Sequence, residues 1–201
     1  MRITAEAKTA TRHRILEVAE ELFRTRGFEA TTTRDIAQSA EIATGTLFNY
    51  FATKEAIVTE LAAESLNRAR SEFDKRISDP ESLEEALFAL VAEELRQLRP
   101  FRKYIVPMLE TAFCPLAAAE RNAPGEELRR QHLETVAGLA RRHGLEDLSA
   151  VALQLYWTLY TGVLAFWATD KSPKQEDTLA LLDESLAMFV AWVRAGTDEN
   201  R

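Results

Sequence analysis

Between Thr31 and Ile57 the chain reads TTTRDIAQSAEIATGTLFNYFATKEAI. This stretch leaves room for two short helices of about two turns or less before a long one begins. Thr32, followed three residues later by Asp35, has the form of a capping box. There the hydroxyl takes a free amide of the first turn, and the carboxylate returns to the amide of the cap itself. Ile36 and Ala37 are the inward pair of the first short helix. A break over residues 39–43 precedes a second helix that carries Thr44, Gly45, Thr46, Asn49 and Tyr50 outward, with Leu47, Phe48 and Phe51 expected as apolar anchors. Thr53 caps the next helix, which opens with Lys54 and Glu55. Two short helices with a polar face on the second predict a helix-turn-helix, whose second member fits a DNA major groove.

The rest of the chain also reads as helix. No proline precedes Pro80, and no segment alternates with period two for long enough to make a strand. Ile15, Val18, Ala19, Leu22 and Phe23 follow the spacing of a buried helix face, and Gly27 is placed to end that helix with a left-handed cap. A long helix runs from Lys54 to about Ile77, with Ala56, Ile57, Leu61 and Leu66 inward. Its later turns are expected to join the C-terminal part. Further helices are expected up to Leu98, over Glu126–His143, and near Leu148–Thr169 and Glu176–Ala195. Loops fall at Asn122-Ala123-Pro124-Gly125 and Asp170-Lys171-Ser172-Pro173. The fold class is therefore all-α. A three-helix helix-turn-helix domain over residues 1–55 is followed by a helical bundle over 56–201.

The runs Thr32-Thr33-Arg34-Asp35-Ile36-Ala37 and Gly45-Thr46-Leu47-Phe48-Asn49-Tyr50-Phe51, with Lys54-Glu55, carry a resemblance. Together with the preceding Phe23-Arg24-Thr25-Arg26-Gly27-Phe28, they resemble the DNA-binding domain of the TetR family of bacterial transcriptional regulators, over residues 10–60. Thr33 and Arg34 open the first short helix, where a hydroxyl can hold a phosphate and a guanidinium can reach a guanine edge. Thr44, Thr46 and Asn49 lie along the reading helix. Gly45 costs around 1 kcal/mol against Ala in a helix but permits close approach to DNA. The resemblance implies phosphate contacts for Tyr50 and Lys54, and it implies that the bundle over 56–201 is the domain of regulation, ligand binding and dimerisation. Three positions depart from the family pattern. Glu41 stands where Gly is usual in the turn; Ala43 stands where Ser commonly caps the reading helix, leaving Thr44 as a substitute cap; and Phe48 replaces a Tyr.

The segment Val151–Ala168 is apolar almost all round and contains Trp157, Tyr160, Phe166 and Trp167. Such a helix needs burial on two sides. The row Val151, Leu155, Thr158, Gly162, Ala165 suits close approach to a second copy, and Leu179, Leu182, Leu186, Phe189 and Val193 give the last helix a similar stripe. A four-helix dimer interface is the expectation, as in the resembling family, and a two-fold reader suits a palindromic site. Phe88, Phe101, Tyr104, Met108, Phe113, Trp157 and Tyr160, with Gln154 and Thr158 as polar groups, form a candidate lining for an apolar or aromatic effector. The same set also reads as closed core.

Charge neither supports nor opposes DNA binding. The net charge is −7, and the acidity lies mainly after residue 60. Arg2, Lys8, Arg12, Arg14, Arg34 and Lys54 remain as a local positive surface. The single Cys114 forms no intramolecular disulfide, and His13, His132 and His143 make no metal pair at helical spacing. There is no phosphate-binding glycine loop or nucleophile elbow. Acidic pairs such as Glu84-Glu85 and Glu93-Glu94 read as solvated helix surface. No enzyme, cofactor or metal is expected. The N-terminus has no signal-peptide pattern, so the cytoplasm is the expected location. The sequence thus points to a homodimeric, ligand-responsive regulator, expected to be a repressor, that binds double-stranded DNA at an inverted repeat. The alternative is a ligand-independent architectural DNA-binding protein.

Overall fold

The computed structural model describes residues 5–76, 82–106, 109, 123–145 and 147–198. These contain eight α-helices and no strand: α1 Ala5–Arg26, α2 Thr33–Ser39, α3 Thr44–Phe48, α4 Lys54–Arg76, α5 Leu83–Leu98, α6 Ala123–Arg142, α7 Ala150–Thr169 and α8 Glu176–Asp198. Two 3₁₀ turns, Arg99–Tyr104 and Pro173–Gln175, follow α5 and precede α8. The chain forms two compact units, Met1–Glu64 and Ser65–Arg201, so the division falls inside α4 rather than at its first turn.

In the first unit, Ile15, Leu16, Ala19, Leu22 and Phe23 form the buried face of α1. Gly27 ends it at φ 85°, donating its amide to Phe23 O at 3.0 Å. Thr31 is buried and bonds Gly27 O at 2.8 Å, which fixes the bend into α2. α2 packs against both α1 and α3.

In the second unit α5 packs on α6 and α8, and α7 packs on the same two helices. Ser82 and Ser149 cap α5 and α7 through the amides of Glu85 and Ala152, each at 3.1 Å. Of the loop expected at residues 122–125, Ala123, Pro124 and Gly125 instead begin α6, and Asn122 lies outside the described residues. Pro124 sits in the first turn, where its missing amide breaks no bond. Gly144, at φ 82°, follows that helix as expected.

By length and hydropathy α7 would pass for a membrane span. One face, with Tyr156, Trp157, Tyr160, Val163, Leu164 and Trp167, is buried in the bundle. The other, running Val151, Leu155, Thr158, Gly162, Ala165 and Phe166, is exposed. The last helix corrects the stripe expected there. Leu182, Leu186 and Phe189 are core; Leu179 of that stripe is exposed, together with Leu181, Met188 and Trp192, the last two 62% and 48% exposed.

Candidate nucleic-acid interface and effector site

The reading unit is built by short-range bonds that the sequence specifies. Thr32 and Asp35 form the capping box: Thr32 N donates to Asp35 Oδ2 at 2.9 Å, and Asp35 N donates to Thr32 Oγ1 at 3.1 Å. The Thr32 hydroxyl also donates to the carboxylate, at 2.6 Å. These bonds hold the Asp35 carboxyl below its ordinary range. Thr33 and Arg34 are the first two helical residues, and Arg34 is exposed with no ion pair among the described residues.

The turn between α2 and α3 is a Schellman arrangement: Ile42 N donates to Ala37 O at 3.0 Å and Glu41 N to Gln38 O at 3.1 Å. It places Glu41 at φ 55°, the left-handed conformation that a glycine would take without strain. Ala43 is the N-cap of α3 and makes no side-chain capping bond. Thr44 is the first helical residue and does not serve as the cap.

α3 is only five residues long, and Leu47 is its fully buried anchor. Gly45 is exposed, and a β-carbon added there would meet nothing within 4 Å. Asn49 closes the helix and is exposed; Thr44, Thr46 and Tyr50 are half-buried. Phe51 is buried as expected, but Phe48 is not an anchor: it is 49% exposed. Four residues after Thr44 and three after Gly45, it shares their outward side. The backbone turn there is bare at Gly45 and flanked by hydroxyls, an amide and one aromatic ring.

Two of the cations expected on the positive surface are engaged within the unit. Lys54 Nζ donates to Phe28 O at 2.7 Å and Thr31 O at 3.0 Å, and lies 3.9 Å from the Phe28 ring centroid. It ties the start of α4 to the α1–α2 bend, so any phosphate contact competes with those bonds. Arg12 pairs with Glu60 at 2.9 Å and covers the Phe51 ring. Lys8 and Arg14 remain exposed, like Arg34.

The candidate effector residues divide. Met108 and Phe113 lie outside the described residues. Phe88 and Tyr104 are half-buried, whereas Trp157 and Tyr160 are buried. Gln154 and Thr158 are not with the buried pair but on the exposed face of α7. There Gln154 accepts from Arg129 at 2.6 Å, and the Thr158 hydroxyl donates to Gln154 O at 2.9 Å.

What joins Trp157 and Tyr160 is a polar group that the sequence reading missed. Glu94 of α5 is fully buried and pairs with His132 of α6 at 2.9 Å. The other His132 ring nitrogen lies 3.2 Å from the Tyr156 hydroxyl. The imidazole stacks on Tyr160 at 4.2 Å between ring centroids and meets Trp157 edge-on at 6.0 Å. Burial, and then the Glu94 charge, push the Tyr156 and Tyr160 hydroxyls well above their ordinary pKa. Glu94 Oε2 and the Tyr160 hydroxyl, both buried, make no hydrogen bond of good geometry among the described residues, although the Glu94 carboxylate lies close enough to act on that hydroxyl. Glu93 is also largely buried, so this acidic pair is not solvated surface. A sequence signal existed: Glu94 falls on the apolar stripe Leu83, Leu87, Leu90, and His132 falls on the stripe Leu128, Val136, Leu139.

Comparison with known proteins agrees with this architecture. The family model described as bacterial regulatory proteins, tetR family, matches residues 15–61. The transcriptional regulator MftR of Mycobacterium tuberculosis is 30% identical over 199 residues, which is 95% of this chain and 93% of MftR. The transcriptional repressor KstR2 of the same species is 50% identical over 50 residues, 25% of each chain. The solved structure of Thermus thermophilus FadR, a TetR-family transcriptional repressor in complex with lauroyl-CoA, superposes with a TM-score of 0.71 at 26% identity. That match covers 89% of this chain and 93% of FadR. These relatives are regulators of transcription and not enzymes. The match to MftR along nearly the whole chain, with the match over the helix-turn-helix, shows that this chain belongs to the TetR family of bacterial transcriptional regulators.

Proposed function

We propose that the protein is a cytoplasmic, homodimeric repressor that binds an inverted-repeat operator and is released from it by a small apolar or aromatic effector. The observation that carries the DNA reading is the outward side of α3. An added β-carbon at Gly45 would meet nothing beyond its own helix, and Thr44, Thr46, Phe48 and Asn49 surround it, after a capped α2. A backbone bare at that position can approach base edges closely. Thr33, Arg34 and Tyr50 then hold phosphates or reach a base, and the Phe48 ring offers an apolar contact to a thymine methyl. Lys54 supports the site by holding the bend before α2.

Dimerisation is supported by the exposed apolar faces of α7 and α8, where Val151, Leu155, Phe166, Met188 and Trp192 lie open on a single chain. An effector site is supported by Glu94 Oε2 and the Tyr160 hydroxyl, an acceptor and a donor buried beside the Trp157 ring that make no hydrogen bond of good geometry among the described residues. Buried polar atoms of this kind are rarely left unsatisfied. The lauroyl-CoA bound by FadR favours an effector with an apolar chain. Release requires the effector to prefer one of two arrangements of the helix beginning at Lys54, and its leverage is typically about 1–3 kcal/mol.

The test is titration of the operator at fixed salt with and without candidate effectors, acyl-CoA thioesters and aromatic compounds among them. Sedimentation of Met188→Glu and Trp192→Glu variants reads the dimer. An operator affinity that no effector changes would remove the switching part, and dimers that survive both charges would remove the interface.

A further inference from the structure

In the second unit, α5, the 3₁₀ turn that follows it and the connection from α7 to α8 enclose a cleft of ≈ 440 Å³. Its lining holds five cationic side chains, Arg96, Arg99, Arg102, Lys171 and Lys174, against one carboxylate, Asp170. This concentration lies in the acidic part of the chain. Two of the cations are already engaged. Arg96 pairs with Glu93, and Arg102 donates from Nε to Trp167 O at 2.7 Å and from Nη2 to Asp170 O. Those carbonyl bonds fasten the 3₁₀ turn to the end of α7 and fix one wall of the cleft. The Asp170 carboxylate accepts from Ser172 N at 2.7 Å, from Thr178 N at 3.1 Å and from the Thr178 hydroxyl. Its lone pairs are committed to those donors rather than to the cations. Arg99, Lys171 and Lys174 are left with no ion pair among the described residues.

We propose that this cleft binds the phosphate groups of a small phosphorylated ligand, with Arg99, Lys171 and Lys174 holding the charge and the anchored Arg102 behind them. Three unpaired cations around one space match a group carrying at least two negative charges, which a single carboxylate does not supply. The volume falls within the range of about 300–1,000 Å³ typical of small-molecule sites and exceeds what a bare ion fills. Leu95 and Leu179 in the lining give the non-phosphate portion an apolar surface. The site is separate from the Glu94–His132 cluster and does not depend on the effector reading.

Calorimetric titration of the full-length protein, without DNA, tests it with pyrophosphate and adenosine 5′-diphosphate as probes. The expected result is saturable binding that weakens at least tenfold in Lys171→Ala/Lys174→Ala and in Arg99→Ala, and is unchanged in Lys103→Ala, an exposed cation outside the cleft. Tighter binding of the nucleotide identifies an organic phosphate as the ligand; tighter binding of pyrophosphate identifies the free anion; either supports the site. Circular dichroism checks that the variants fold, which is expected because none of the three side chains has an ion pair among the described residues to lose. Failure of both probes to saturate, or equal weakening by Lys103→Ala, would overturn the proposal. So would a loss of operator affinity with no small-ligand binding, which would make these residues DNA contacts.

Discussion

Gly45→Ala separates stability from DNA reading at one atom. The residue lies in the first turn of α3, where an added methyl would meet no atom within 4 Å beyond its chain neighbours and the backbone of its own helix, and its φ is not left-handed. The substitution is therefore free of clash and strain in the isolated protein. Ala is favoured over Gly in a helix interior by roughly 0.8–1.0 kcal/mol, and reduced freedom of the unfolded chain contributes part of this. At a helix start the gain is smaller, about 0.5 kcal/mol. On DNA the same methyl occupies the gap between backbone and base edges. Loss of one close contact costs about 1–3 kcal/mol, and each 1.4 kcal/mol is roughly tenfold in affinity. The variant is thus expected to unfold at slightly higher temperature while binding the operator about 5- to 150-fold more weakly. Thermal unfolding by circular dichroism and operator titration at one salt concentration read the two effects. An unchanged operator affinity would show that the bare backbone does not approach DNA, and lower stability would show that the α3 geometry is wrong.

Glu41→Gly is expected to stabilise the protein by about 1 kcal/mol, because it relieves the left-handed backbone at φ 55°; chemical denaturation reads the change, and a loss of stability would contradict the turn assignment. Lys54→Met removes two charge-assisted bonds to carbonyls and the contact with Phe28, a loss of about 2–4 kcal/mol. Faster amide exchange in residues 28–37 should report it, and unchanged exchange would show that the strut is idle. Asp170, whose carboxyl is held at about 2, chiefly by its bond from Thr178, contributes stability that is complete above the unfolded carboxyl pKa of about 3.9 and is lost as pH falls towards 2. Asp170→Asn should flatten the acid-side decline in stability over that window, and an identical pH profile would remove the role.

Local chemistry made the reading unit legible. The Thr32–Asp35 capping box, Gly27, Gly144 and the apolar stripe of α1 each act over a few residues, so spacing alone places them. Phe48 was misread because α3 is too short for periodicity to separate it from Leu47, its neighbour about 100° around the helix. On α8 two apolar stripes compete, and only the packing of α5 and α7 shows that Leu182, Leu186 and Phe189 face the core while Met188 and Trp192 face out. Glu94 and His132 stand 38 residues apart, and their pairing is a tertiary fact. The visible hint was a charge on an apolar stripe, which is costly unless a partner meets it. The effector lining was least legible, because Trp157 and Tyr160 share a helix with Gln154 and Thr158 but not a face.

The central claim is that a side-chain-bare turn of α3, presented twice in a dimer, reads a defined DNA sequence. Selection of genomic fragments by the purified full-length protein, followed by footprinting of the enriched fragments, tests it most directly. The expected result is a protected inverted repeat whose half-sites are separated by about 34 Å or a multiple of that helical turn. Broad, salt-sensitive retention of fragments with no shared site would contradict it and favour an architectural DNA-binding protein instead.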